Sequence, residues 1–375
     1  MSKATIEKGN QLQFVIERMD DIGNIRELWV SLELEAKPTF FTSWCWVSSW
    51  LRIIGPDVFV CKVYSHGNLV ALGLFVKASL TRHKILNVEQ LRLQSVGDEK
   101  KDQIWPEYNN MLVAKEFERE VYRGLIHFLS QETEISWDEL LLGPIDKRIL
   151  ELISTDQCKP VERWNAPSYG VDLAKIKLSG QCYLDTLSKN TRSQIRRAIR
   201  KYGQGLTLRV AQDKSQALLY FEKIAPLHLQ RWKVDSGFNN QYFIRFHQDL
   251  IERCFDEGVV ELVELNVDGM GIGYLYNFIY NNNVYFYLSG IDLEVDIKQK
   301  PGLVLHALCI QRHLDRGAKL YDFLGGEARY KKNLGKQMDE LFVISFQKPI
   351  LKLRMEQMAR GLKHYFEHNK LGNEV

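Results

Sequence analysis

Apolar positions along this chain alternate between two periods. "NIRELWVSLELE" and "SWCWVSSWLRII" carry apolar residues three and four apart, which predicts helices. "VFVCKVYS" and "LVALGLFVK" are apolar runs of strand length joined by the turn residues "HGN", which predicts a hairpin. A third strand is expected near "KILNVEQLRLQSVG". The polar loop "DEKKDQIWPEYNN", the helix "KEFEREVYRGLIHFLSQ" and the strand "DELLLGPI" complete the set.

The same order returns downstream. "DTLSKNTRSQIRRAIRKYG" and "KSQALLYFEKIAPLHLQRWK" read as helices. The strands "VVELVELNV" and "GYLYNFIY" flank Asp-Gly, a strong hairpin signal, and "VYFYLSGI" follows "NNN". "PGLVLHALCIQRHLDRG" has proline near its start and glycine past its end, as helices do, and Leu303, Val304, Ala307, Leu308, Gln311 and Leu314 give it a stripe that faces the sheet. "KLYDFL" is the returning strand. Each half thus predicts helices, three meandering strands, one helix and a strand. The fold class is α/β (α+β): two tandem halves, each a mixed central sheet flanked by helices. The closing strand–helix–strand unit should be parallel and right-handed. Turn-rich "NAPSYGVDLAKIKLSG" sets the expected division at residues 1–170 and 171–350. Residues 351–375 follow as an amphipathic helix of mixed charge, suited to docking rather than to a membrane.

Length and composition narrow this. The chain has 375 residues, 45% hydrophobic and 11% aromatic, enough to bury two or three cores. A net charge of +3 excludes a general polycation, so phosphate or nucleic-acid contact needs a local patch. One is predicted: Arg192, Arg196 and Arg200 form a stripe, with Arg197 and Lys201 beside it, away from the apolar stripe of Thr191, Ile195, Ala198, Ile199 and Tyr202. Few aromatics interleave with those arginines, which disfavours RNA. The six cysteines are scattered without a Cys-x-x-Cys pair, so spacing gives no zinc signature and no metal is expected. The first residues lack the apolar core of a secretion signal, and no apolar run approaches the roughly 20 residues of a membrane span. The expected setting is the reducing cytoplasm.

Candidate chemistry collects near the end of the second half. "YDFLGGEARYKKNLG" closes a strand with two glycines and then presents Glu327, Tyr330 and Lys331. A strand-to-helix turn explains the pattern plainly; a backbone that something must approach explains it more fully. Lys298, Lys300, Gly302 and Leu303 stand at a helix start, where unpaired N–H groups suit a phosphate. The full phosphate-loop pattern is absent, and an ordinary capped helix is the alternative. Ser289 and Gly290, in "LSG", end the preceding strand where an extended ligand can pair.

Strand meander, Gly-led helix and returning parallel strand resemble the core of the GNAT acyltransferase superfamily. "LSKNTRSQIRRAIRKYG", "LHLQRW", "KPGLVLHAL" and "YDFLGGEARYKKNLG" resemble the CelD-like acetyltransferase domain, a relative of the FemA/FemX-type double-GNAT transferases. The resemblance covers roughly residues 30 to 345. It implies two GNAT-like halves, with acyl-CoA or acetyl-CoA lying between the parallel strands of the second. Its pyrophosphate would then lie at the helix start, near Lys298, Lys300, Gly302 and Leu303, with Ser289 and Gly290 pairing with its extended arm. It also implies that Lys331 steadies the charge developing on the acyl oxygen and that Tyr330 donates a proton. A base must free the acceptor amine; Asp322, Glu327 and His228 are the candidates. Arg231 would grip a carboxylate or phosphate and Trp232 would stack on a ring. The first half lacks the glycine at the matching place, which makes it the acceptor side, with Glu107, Tyr108 and Asn109 as contacts. The implied activity is direct acyl transfer to an amine, on an amino sugar or nucleotide sugar for surface polysaccharide. Two alternatives stay open: an aminoacyl-tRNA-dependent transferase, and a non-catalytic subunit of a polysaccharide-synthesis complex.

Overall fold

The computed structural model describes residues 2–5, 12–55, 57–131, 134–154, 159–294, 299–356 and 358. The first half runs β1 (Ser2–Thr5), β2 (Leu12–Arg18), α1 (Ile22–Glu33), α2 (Trp44–Ile54), β3 (Phe59–Ser65), β4 (Asn68–Arg82), β5 (Leu86–Leu93), β6 (Leu112–Val113), α3 (Glu118–Gln131), β7 (Glu139–Asp146) and α4 (Lys147–Ile153). β8 (Val161–Asp172) leads into α5 (Leu173–Ser179), α6 (Lys189–Tyr202), β9 (Leu206–Val210), α7 (Lys214–Trp232) and α8 (Gln241–Cys254). The chain closes with β10 (Val260–Val267), β11 (Met270–Tyr280), β12 (Asn283–Ile291), α9 (Pro301–Asp315), β13 (Leu320–Gly325), α10 (Arg329–Leu334) and β14 (Lys336–Gln347).

Local chemistry accounts for most boundaries. Asp21, Ser43, Ser188, Asp213 and Asn240 each accept a first-turn N–H at the start of a helix. Four described hairpin turns place His66–Gly67, His83–Lys84, Asp268–Gly269 and Asn281–Asn282 at positive φ, the twist that matches paired strands.

All strands join one sheet in the order β1-β2-β3-β4-β5-β7-β14-β8-β13-β12-β11-β10-β9, with β6 on β4. Each half contains one parallel pair, β5 with β7 and β12 with β13, spanning a helix as expected. β8 lies between β13 and β14, antiparallel to both, and the expected division at residue 170 falls inside it. β14 returns to pair with β7 of the first half. The two halves are therefore stitched at the centre of the sheet. Along β10, Leu262 faces the cluster built with α7 and α8, while Val263 faces α5, α6 and α9. α9 is buried well beyond its expected stripe, with Leu305, His306, Cys309, Ile310 and His313 also inside.

At the stitch, Glu139 on β7 is fully buried. It accepts from Arg82, from Arg163 on β8, and from Gln90 and Gln347. Burial raises its pKa, but Gln90 and the two guanidiniums outweigh that and hold it at about 2. Residues 351–356 are helical and Leu353 is buried; the rest of the expected C-terminal helix, apart from residue 358, lies outside the described residues.

Candidate active site

β12 and β13 pair only from Asn283 with Leu320 to Tyr285 with Asp322. Beyond those pairs they part. A cleft of about 320 Å³ opens between Phe286–Ser289 on one strand and Phe323–Gly325 on the other. A bulge separates Asp322 from Gly325, with Leu324 at φ 62° and Gly326 at φ 97°. Left-handed backbone is costly for leucine, so the surroundings must fix it. They do: Asp322, 4% exposed, accepts from the Leu324 N–H at 2.7 Å and from the Tyr108 hydroxyl at 2.7 Å. Ser168 of β8 lies 3.1 Å from that same hydroxyl.

Glu107 reaches this bulge from the first half. Its carboxylate accepts the Gly325 N–H and lines the cleft. A Cβ at Gly325 would sit 3.1 Å from Leu341 and 3.2 Å from that carboxylate, so any larger residue would have to push both aside by a few tenths of an ångström. Lys331, 7% exposed, donates from Nζ to the carbonyls of Leu324 at 3.1 Å and Gly325 at 2.5 Å. Burial raises the Glu107 carboxyl to about 7, against the pull of the Gly325 N–H and the Lys331 charge. Burial raises Asp322 to about 6. Burial lowers Lys331, while Glu107 and Asp322 counter it. Two carbonyl oxygens can only accept, so they favour the ammonium form. The result is a cation fixed beside a carboxyl that titrates near neutrality.

The cleft continues toward α9. Ser289, Ile291, Lys300, Gly302 and Leu303 line an adjoining space of about 390 Å³. Among the described residues no side chain caps α9, Lys300 stands at φ 49°, and Pro301 stands in the first turn. A helix offers its first-turn N–H groups no partner of its own, and those of Gly302 and Leu303 are of that kind. A larger trough of about 1140 Å³ follows, lined by Arg197, Lys201, Arg231, Lys300 and Arg329 with no carboxylate among the described residues that line it. Arg231 and Tyr330 line all three spaces. At the mouth, Trp105 and Trp232 are 46% and 48% exposed, and the Arg231 guanidinium lies 5.1 Å from the Trp232 ring centroid.

Several expected site residues serve packing instead. Glu327 does not enter the cleft: it is 64% exposed at its side chain and pairs with Lys332, because the chain turns outward after Gly326. Gly290 is needed by packing, since a Cβ there would stand 2.9 Å from the Ile224 backbone of α7. Asn109 is buried and donates to the carbonyls of Leu93 and Gly143, away from the cleft. Asp322 has both carboxylate oxygens occupied by Tyr108 and Leu324. His228 lines the cleft, but its Nδ1 lies 2.8 Å from the Ser236 hydroxyl, and burial, then the Arg231 charge, lowers it to about 4. Arg192 and Arg196 pair with Asp185, and it is Arg197 and Lys201 beside the expected stripe, not the stripe itself, that line the trough. Lys298 lies outside the described residues.

Sequence reasoning missed His306 and Trp105. His306 stacks on Tyr330 at 5.4 Å with rings 17° apart, and burial, then the Lys331 charge, lowers it to about 3. It lies off the expected apolar stripe of α9, so the pattern gave it no inward face. Trp105, ahead of Pro106, sits at φ 41°, a signal visible only in the backbone.

Residues 189–332 match the family described as an acetyltransferase (GNAT) domain. Among solved structures, FemX superposes with a TM-score of 0.56 at 10% identity, covering 91% of this chain and 99% of that one. L-PGS from Bacillus licheniformis gives 0.52 at 13% identity, covering 89% and 96%. A conserved protein of unknown function from Bacteroides thetaiotaomicron gives 0.52 at 12%, covering 89% and 100%. At these identities the likeness is one of fold. A comparison with curated proteins gives no match.

Proposed function

We propose, from the premise that this chain is a transferase of the GNAT superfamily with a Fem-like double-GNAT fold, that it moves an acyl group from acyl-CoA to an amine. The observation that carries the reading is the parting of β12 and β13 beyond Tyr285 and Asp322. The gap offers free strand edge to an extended thiol arm. Its outer end meets the uncapped start of α9 with Lys300 and Gly302 for phosphate.

In this reading the acyl carbonyl lies beside Lys331. Glu107 takes the proton from the acceptor ammonium as base. The amine nitrogen attacks the carbonyl carbon, the C–N bond forms, and Lys331 stabilises the oxyanion. The C–S bond then breaks, Tyr330 protonates the departing sulfur, and the phenolate so formed takes the second proton from the nitrogen to leave the neutral amide. Asp322 acts through Tyr108 and the bulge, as a positioning residue. Acceptor and donor are small molecules, and the acceptor enters past Trp105 and Trp232, surfaces suited to an amino sugar or nucleotide sugar. Use of acyl-CoA places the reaction in the cytoplasm, in the service of polysaccharide synthesis. No described helix is long and apolar enough to cross a membrane.

A second reading takes aminoacyl-tRNA as donor; the wide basic trough favours it. Calorimetry and turnover with acetyl-CoA, longer acyl-CoAs and charged tRNA separate the two. The first reading expects acyl-CoA binding that Lys300→Glu weakens, and release of free CoA on adding acceptor. Turnover with charged tRNA alone, with a steep salt dependence, overturns it.

A further inference from the structure

Two groups of metal-capable side chains stand outside the cleft among the described residues: Cys45, Cys254 and Glu257, and Glu261, Cys309 and His313. The second is already satisfied. Glu261 accepts from Arg312 at 2.6 Å and lies 2.8 Å from His313 Nε2, and Asn277 donates to Cys309. An added cation there would have to displace a buried guanidinium.

The first group is different. Cys45 is the second residue of α2, Cys254 ends α8, and Glu257 ends the helical turn Phe255–Glu257 that follows it. Two distant segments, one from each half, thus converge with their ligand atoms all within 4.8 Å of one another. Cys45 Sγ donates to Glu257 Oε2 at 3.0 Å. Both thiols are buried, at 8% and 2% exposure, while Glu257 is exposed and opens the group to solvent. Thiolate sulfur and carboxylate oxygen are donors that a borderline-soft divalent ion takes. Thiolates at about 2.3 Å and a carboxylate oxygen at about 2.1 Å from a tetrahedral ion stand some 3.5 to 4 Å apart. The three atoms lie within 4.8 Å of one another, with Cys45 and Glu257 at 3.0 Å, so shifts of about 1 Å reach that spacing.

We propose that Cys45, Cys254 and Glu257 form a zinc-type cation site that ties the two halves together, with water as fourth ligand on the exposed side. Binding forms two metal–sulfur bonds and one metal–oxygen bond and releases the two thiol protons to solvent. Trp46 and Phe246, one from each helix, pack edge to face with centroids 4.7 Å apart, so the ion would clamp an interface that already exists.

The test uses the full chain, reduced and stripped with a chelator, titrated with Co²⁺ and Zn²⁺. One equivalent of Co²⁺ is expected to give a thiolate charge-transfer band that Zn²⁺ abolishes. Zn²⁺ should also raise the melting temperature by several degrees. Cys45→Ser and Cys254→Ser are each expected to lose the band and the Zn²⁺-dependent shift, and Glu257→Gln to weaken both. Circular dichroism of each apo variant checks its fold; Cys45→Ala serves if a serine variant misfolds. Absence of one-equivalent binding by the reduced wild type overturns the proposal. So does binding unchanged in both cysteine variants. A Cys45–Cys254 disulfide in protein isolated without reductant, with no metal uptake after reduction, overturns it in favour of a redox pair.

Discussion

The carboxylate of Glu107, carried by the first half, accepts the backbone N–H of Gly325 on β13 of the second. The Lys331 ammonium lies on the same two-residue bulge, donating to the carbonyls of Leu324 and Gly325. Neither half alone assembles the acid–cation pair at the end of the cleft.

Lys331→Met keeps the stem and removes the charge. If the ammonium faces the oxyanion, kcat falls by about 10²–10³-fold while acyl-CoA binding holds. Steady-state kinetics with calorimetry checks this; an unchanged kcat in a folded variant removes Lys331 from the chemistry, whereas absence of turnover in the wild type together with an intact cellular phenotype in the variant favours the non-catalytic alternative.

The pH profile should show a base. Burial raises Glu107 from 4.5 to about 7, so kcat/KM is expected to climb as pH rises through about 7, and Glu107→Gln to remove that limb. Stability moves the other way. A carboxyl with a raised folded pKa favours the fold most below 4.5, and that contribution is lost as pH rises through about 7. Denaturant melts of Glu107→Gln should show less of this loss.

Tyr108→Phe removes the hydroxyl that binds Asp322 and leaves a buried carboxylate oxygen short of a partner. A stability loss of about 1–3 kcal/mol is expected by urea titration, with a lower kcat because the Leu324 turn loosens.

The two glycines once paired with the donor should behave differently. Gly290→Ala drives a Cβ to 2.9 Å from the Ile224 backbone, which costs roughly 1–3 kcal/mol in a thermal melt. Gly302→Ala meets only ordinary contacts at 3.6 Å from Ile291, so the fold should hold while acyl-CoA binding weakens.

Glu139→Ala leaves the part-buried Arg163 without this carboxylate and Arg82 with Glu356 alone, and is expected to cost about 1–3 kcal/mol. The wild-type carboxyl sits at about 2 against 4.5 unfolded. Its contribution is therefore full above 4.5 and fades as pH falls toward 2, and acid melts of the two proteins should converge there.

Much of the fold was legible because it is local. The hairpins announced themselves in "HGN", "DG" and "NNN", and the unit β12–α9–β13 in its proline and glycine punctuation. β8 and β14 were not read as strands. Their pairing partners lie far along the chain, and "KQMDELFVISF" opens with polar residues. α8 was also missed; its apolar face is built from Phe243, Phe246, Leu250 and Ile251, interleaved with charged residues. At the site, Lys331 and Tyr330 stand where the motif put them, lining the cleft. Glu327 was misplaced because adjacency in sequence does not say which way a chain turns after Gly326. The nearness of Glu107 to Lys331 depends on how two halves dock, which no local pattern encodes.

β14 has a consequence for how the protein is made. Its residues fill the slot between β7 and β8, and they leave the ribosome after both of those strands. Until they arrive, β7 and β8 each wait with one flank unzipped, as open templates for a neighbouring nascent chain. Expression at low temperature or with a holding chaperone should therefore raise the yield of monomer, and ending the gene before residue 336 should give aggregate rather than a smaller working enzyme.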